Sequence, residues 1–161
     1  MAIDQTDITA CYRRIHRPLH NVLMRLLWDG PECQDIAHDA FMRVWNRADT
    51  VDRASLDSLV YATALNLAKN RLRWLGLRRL VGMEHADAVQ HEDASQIDSP
   101  ALRQALARLP QGQRIVLLLS DIAGFSTVEI AAMLAIPAGT VSSRRHTALR
   151  RLRSLMDDSH D

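Results

Sequence analysis

Apolar side chains recur three and four residues apart along most of this chain, and no stretch alternates apolar with polar residues over a strand's length. That periodicity builds helices and leaves no material for a sheet. Ile8, Ile15, Leu19, Val22, Leu23, Leu26 and Leu27 mark a first helix, which Gly30-Pro31 is expected to stop. Residues 31–46 carry a second stripe of Ile36, Ala37, Ala40, Phe41, Val44 and Trp45. Residues 46–55 are polar and read as a connecting loop. A third helix is expected over 55–80, on Leu56, Leu59, Val60, Thr63, Ala64, Leu67, Leu72 and Leu75. Three amphipathic helices of this length can bury one small core.

Beyond them the pattern breaks. Residues 81–98 are acidic, weakly periodic and poor in large apolar side chains, which predicts a linker. Ser99-Pro100 then has the form of an N-cap with proline at the first helical position. A helix runs to Leu109 and stops at Pro110, and another over 112–122 carries Ile115, Val116, Leu118 and Leu119. The fold expected for these 161 residues is all-α. It comprises two small helical domains, 1–80 and 99–161, joined by a flexible acidic linker, 81–98.

The net charge of +1 conceals an uneven distribution. Lys69, Arg71, Arg73, Arg78 and Arg79 form a block with no intervening acid. Residues 80–102 then hold five acids and no Lys or Arg. Arg144, Arg145, Arg150, Arg151 and Arg153 follow without an acid before Asp157. Two basic patches suit two polyanion-binding surfaces; two solvated helix faces fit the composition equally well. Cys11 and Cys33 are too few for a disulfide framework. The first residues lack the pattern of a signal peptide, and no apolar run reaches the roughly 20 residues that span a bilayer. A cytoplasmic protein with reduced thiols and no membrane insertion is expected.

The most informative segment is 126–156. Ser126-Thr127-Val128-Glu129 spells a capping box, with Phe125 and Ile130 placed as a hydrophobic staple. Ile136-Pro137-Ala138-Gly139 interrupts the helix that follows, and Thr140 is positioned to cap the next one. A short helix, a tight turn and a second helix make a helix-turn-helix. The first turns of the second helix, Thr140, Ser142, Ser143, Arg144, Arg145 and His146, with Arg150 further on, are the residues such a motif lays in the major groove. Short hydroxyl side chains permit close approach, and arginine contacts guanine two-pronged or holds a phosphate. An ordinary helical hairpin with an Arg-rich wet face is the bland alternative.

Two blocks of residues are similar to the extracytoplasmic-function sigma factors, the smallest members of the bacterial housekeeping sigma superfamily. The stretch from Asp35 to Trp45, followed by Tyr61 to Ala68, resembles the family's second conserved region. Leu109 to Val116, Gly124-Phe125-Ser126, Glu129-Ile130-Ala131 and Pro137 to Arg144 resemble the fourth. The resemblance implies an N-terminal domain that clasps the clamp helices of core RNA polymerase and reads the promoter element that melts. It implies a C-terminal domain that reads the upstream element and touches the polymerase flap. It also implies an anti-sigma partner. Such a protein is not an enzyme but directs one, and it needs no cofactor.

Residues follow from those roles. Asn66, Lys69, Asn70, Arg71 and Arg73 are the candidates for the proximal promoter element. On the second helix, Asp35, His38, Asp39, Met42 and Asn46 fall opposite the apolar stripe, and the first four are the candidates for polymerase binding. His38 and Asp39 depart from the Gln and Glu usual in the family. Arg145 stands where Leu is common, so its stem must lie along the core while its guanidinium reaches water. Two rivals remain at this point. A simple helix-turn-helix repressor explains 126–156 but gives the patterned helix at Asp35 no task. A metal site at Cys11, His16 and His20 has ligands at helical spacing, but no second motif supplies a further ligand.

Overall fold

The structure, a computed structural model, describes residues 2–82 and 98–159. The expected acidic linker falls largely outside the described residues. Seven α-helices are present among them, with no strand. These are α1 (Gln5–Leu27), α2 (Gly30–Trp45), α3 (Leu56–Leu80), α4 (Pro100–Arg108), α5 (Gln111–Asp121), α6 (Thr127–Leu134) and α7 (Ala138–Asp158). Two 3₁₀ turns, Ala48–Thr50 and Arg53–Ser55, join α2 to α3.

The helix ends follow from local chemistry. Asp4 opens α1 with a capping box: its carboxylate accepts the Asp7 amide at 2.9 Å while Asp7 accepts the Asp4 amide at 3.0 Å, which satisfies two of the orphan donors. Gly30-Pro31 does not stop α1. The helix ends earlier, where Trp28 turns left-handed (φ 53°) and donates its amide to the Met24 carbonyl at 2.8 Å. Asp29 then caps α2, and Pro31 sits in its first turn, where a missing N–H costs nothing. Ser99 caps α4 as expected.

Thr140 is not a cap. Helix α7 begins at Ala138, directly after Pro137, so Thr140 already lies inside the first turn. The first amides of a helix need no intrahelical partner, and Gly139 is tolerated there instead of forming the turn.

In packing, α1, α2 and α3 enclose Leu19, Val22, Leu23, Cys33, Ala40, Val60 and Ala64. The same core continues into the C-terminal helices through Ile115, Val116, Leu118, Leu119, Ile130 and Val141. Five consecutive residues of α5, Ile115 to Leu119, are buried. A helix buried all round is sandwiched between partners. Leu117 joins Leu106, Leu109 and Ala148 in a second cluster with α4 and α7, while its neighbours face the N-terminal helices. Tyr61 of α3 meets Phe125 edge to face, with ring centroids 4.8 Å apart. Arg25 of α1 pairs with Asp98 at 2.9 Å, both side chains largely buried. The Arg103 guanidinium lies 4.9 Å over the Trp28 ring.

Candidate polymerase and nucleic-acid interfaces

The helix-turn-helix is α6, residues 135–137 and α7. The Ser126 hydroxyl accepts the Glu129 amide at 3.2 Å, and the Glu129 carboxylate accepts the Ser126 amide at 3.1 Å, so the capping box forms as its spelling demands. Helix α6 ends at Ala135 in the left-handed region (φ 55°), and its amide donates to the Ala131 and Ala132 carbonyls. Buried Ile130, Val141 and Ala148 seat the pair on its neighbours, which leaves the opposite face of α7 wet.

On that face Ser142, Ser143, His146 and Arg150 are exposed, whereas Thr140, Arg144 and Arg145 are half-buried. Arg145 donates to Asp121 at 2.8 Å, and this pairing raises its pKa further above neutrality. Its Nε is buried without a partner, so the side chain lies along the protein as far as the inner edge of the guanidinium, and its tip reaches Asp121 at the surface. The Arg144 guanidinium lies back on Gly112, 3.2 Å from where a Cβ there would stand. Gly112 thus admits this arginine onto the first turn of α5.

A second surface lies at the other end of the chain. A cleft of about 510 Å³ opens between α3 and the end of α2 with the loop after it. Arg43, Val44, Asn46, Arg47, Leu59, Thr63, Asn66, Leu67 and Asn70 line it. Asn66 and Asn70, expected at a promoter site, therefore meet in one concavity. Lys69, Arg71 and Arg73 stand outside its lining, and Arg71 is drawn towards Glu32 of α2 at 3.4 Å. Sequence reasoning set Asn46 on the polar face of the second helix without joining it to the promoter site, and missed Arg47, which follows the end of that helix. The spacing of Asn66 and Asn70, one helical turn apart, was the available signal that this face of α3 is used.

The third surface is the outer face of α2. Asp35, His38 and Met42 are exposed, Met42 at 43 %. Asp39 accepts from Arg43 at 3.2 Å across one helical turn, so it joins this face to the rim of the cleft. Beside it Tyr12 stacks on His16 at 4.9 Å and tilts against Phe41 at 5.1 Å. His16 also holds the Tyr12 carbonyl through Nδ1 at 2.9 Å. Burial pushes the thiols of Cys11 and Cys33 up to about 12 each, so both stay protonated and inert at neutral pH. Among the described residues no group of three His, Cys, Asp or Glu side chains is placed to hold a metal ion.

Residues 11–76 match the family Sigma-70 region 2, and residues 99–152 match Sigma-70, region 4. The chain is 31 % identical over 156 residues to the ECF RNA polymerase sigma factor SigW of Bacillus subtilis (strain 168), covering 87 % of this chain and 83 % of that one. The chain belongs to the ECF RNA polymerase sigma factors. It is 34 % identical over 134 residues to the RNA polymerase sigma-E factor of Streptomyces coelicolor, covering 80 % of this chain and 74 % of the relative.

The fold is shared as well. The sigma factor RpoE in its complex with the anti-sigma factor NepR from Bartonella quintana superposes with a TM-score of 0.75 at 23 % identity, over 94 % of this chain and 97 % of that one. CnrH, solved with the cytosolic domain of CnrY, gives 0.74 at 20 %, over 96 % and 90 %. As a sigma factor the chain directs RNA polymerase in initiating transcription, and its family is not a class of enzymes. The region 2 match contains the cleft and the outer face of α2; the region 4 match contains the helix-turn-helix. A free-standing repressor would have no use for the first.

Proposed function

We propose that this sigma factor divides its work between two functional units, 1–80 and 99–161. In the first, Asp35, His38, Asp39 and Met42 meet the clamp helices of core polymerase. The cleft beside them takes unpaired bases of the melting promoter element, with Asn66 and Asn70 reading base edges and Lys69, Arg71 and Arg73 holding phosphates. Single strands are read this way because splayed bases expose their pairing edges to amide side chains. In the second unit, Ser142, Ser143, His146 and Arg150 face the upstream element in the major groove, and Arg144 reaches it by leaving Gly112. Arg145, tied to Asp121, and Thr140, within the first turn, support that surface. The flap of the polymerase is met by this unit.

The observation that carries the reading is the coexistence, on one chain, of an amide-lined cleft and a helix-turn-helix with an exposed polar first turn. A partner of the anti-sigma kind, of which NepR and CnrY are instances for other sigma factors, restrains the chain between signals. Its site of action is the cytoplasm; none of the helices described is long and apolar enough to cross a membrane. The test is reconstitution with purified core polymerase, followed by sequencing of the transcripts it starts. A discrete set of start sites sharing two spaced elements is expected. Starts identical to those of core enzyme alone would refute the reading.

A further inference from the structure

The last turns of α3 carry a surface that the roles above leave unused. Trp74 is 45 % exposed, Leu77 56 % and Val81 73 %. A tryptophan carries a large apolar surface, and this one lies beside two further exposed apolar side chains on the same stretch of helix. The indole is not loose. The Arg71 guanidinium carbon stands 4.4 Å from its centroid and that of Arg78 4.6 Å. Two cation–π contacts, from one turn before and one turn after, hold the ring in place on an exposed helix face.

Position adds the second observation. At about 100° per residue, Thr63, Asn70, Trp74 and Val81 lie within about 40° of one another around α3. Trp74 is about 6 Å further along the axis than Asn70. The wall of the cleft therefore continues, without turning, from amides to an indole flanked by arginines. Arg71 and Arg78 flank it, about 60° and 40° round the helix, while Lys69, Arg73 and Arg79 extend the positive charge to the other faces; an acid, Glu32, stands 3.4 Å from Arg71. Aromatic faces beside arginine on a basic track are what a polynucleotide strand uses, since every base has a π-face and every link a phosphate. An anionic lipid surface would also attract arginines and tryptophan, but an interfacial helix sets a broad apolar face against a separate charged one. Here the apolar stretch is two turns long and runs into amides.

We propose that Trp74 is a stacking platform for a promoter base where the strand leaves the cleft, with Arg71 and Arg78 turning from the indole to the flanking phosphates. This rests on the reading that the cleft takes the melted strand. The experiment uses holoenzyme assembled from core polymerase and the full chain, on the strongest promoter recovered by transcript sequencing. That promoter is made fully paired and, separately, with a mismatched bubble. Trp74→Leu should lower occupancy of both forms about ten-fold, within the range measured for losing one stacked base. Trp74→Phe should stay within about three-fold of the parent. Circular dichroism and affinity for core enzyme should not change.

Parent-like occupancy by Trp74→Leu, or a loss that Trp74→Phe shares in full, overturns the proposal. So does binding of the chain to phosphatidylglycerol vesicles that Trp74→Leu abolishes while promoter occupancy persists. If the parent holoenzyme starts no specific transcripts at all, the sigma reading of the cleft fails first and takes this inference with it.

Discussion

At residue scale the wet side chains of α7 divide into those already engaged and those free to engage. Arg145 is held by Asp121 and Arg144 rests on Gly112, whereas Arg150 is exposed. If Arg144 swings from Gly112 to a base edge, Arg144→Ala should weaken use of the matched upstream element by about 1–3 kcal/mol relative to a scrambled one. Arg150→Ala should weaken both elements alike. Competition between the two promoters for one holoenzyme measures this, and equal losses from both changes would make Arg144 a phosphate clamp only. On α2, Asp39 has a local partner, Arg43, in an exposed pair contributing about 0.3–0.5 kcal/mol. Asp39→Arg should therefore leave helix content and melting temperature nearly unchanged while abolishing association with core polymerase, read by interferometry without DNA; His38→Gln should be mild. Asp57, bound by both Nε and a terminal nitrogen of Arg14 at 2.8 and 2.6 Å, has its pKa lowered chiefly by that arginine. A carboxylate depressed on folding stabilises above its unfolded pKa and loses that contribution as pH falls through the folded value. Asp57→Asn should consequently cost no more than about 1 kcal/mol at neutral pH and flatten the acid limb of stability, as urea titrations across the carboxylate range would show.

At the scale of elements, the short α6 depends on its cap more than any longer helix does. It has 8 residues, too few to persist on propensity, and Ser126→Ala should lower stability by about 1 kcal/mol, seen in thermal melts with no change in fold. That capping box was legible in the sequence because four adjacent residues contain both halves of it. The Asp4–Asp7 box was not, since Asp in place of Glu and a polar first turn put the start of α1 ahead of its first apolar marker, Ile8. Residues Ala138 and Gly139 read as a turn and proved to be helix, because a helix start imposes no hydrogen bond that glycine would weaken. The stripe on α2 and the exposed set Asp35, His38 and Met42 came out as the 3.6-residue period places them. Cys33 escaped that stripe although it is fully buried; a thiol is an apolar residue in all but name. The cleft was only half visible: Asn66 and Asn70 lie on a periodic helix, but Asn46 and Arg47 close the C-terminus of α2, bonded back to Met42 and Val44, and helix ends are the least legible part of a periodic pattern.

At the scale of the whole molecule, the contact between the N-terminal and C-terminal helices is the feature least visible in the sequence. Its partners are far apart in the chain, and only the unbroken run from Ile115 to Leu119 hinted that α5 is covered on more than one side. The Tyr61–Phe125 contact, the Arg25–Asp98 pair and the Arg103–Trp28 stack all cross between the two sets of helices. A double-mutant cycle on Tyr61→Leu and Phe125→Leu should return a coupling of about 0.5–1.5 kcal/mol in urea unfolding; additivity would mean that this ring contact does not hold the two sets of helices together. In this packing the exposed face of α7, the cleft and the outer face of α2 all remain accessible; on the proposed reading, polymerase adds to promoter specificity by fixing the spacing of the two DNA surfaces. On the proposed reading each surface makes few phosphate contacts; with about four, the salt slope would be about −3.6 for the duplex at α7 and about −2.8 for a single strand at the cleft. The decisive measurement compares binding of a matched and a scrambled promoter by the isolated chain and by the chain with core polymerase, at physiological salt. The account predicts weak, sequence-blind binding by the chain alone and clear discrimination by the assembled enzyme. Tight, sequence-specific binding by the isolated chain would contradict it.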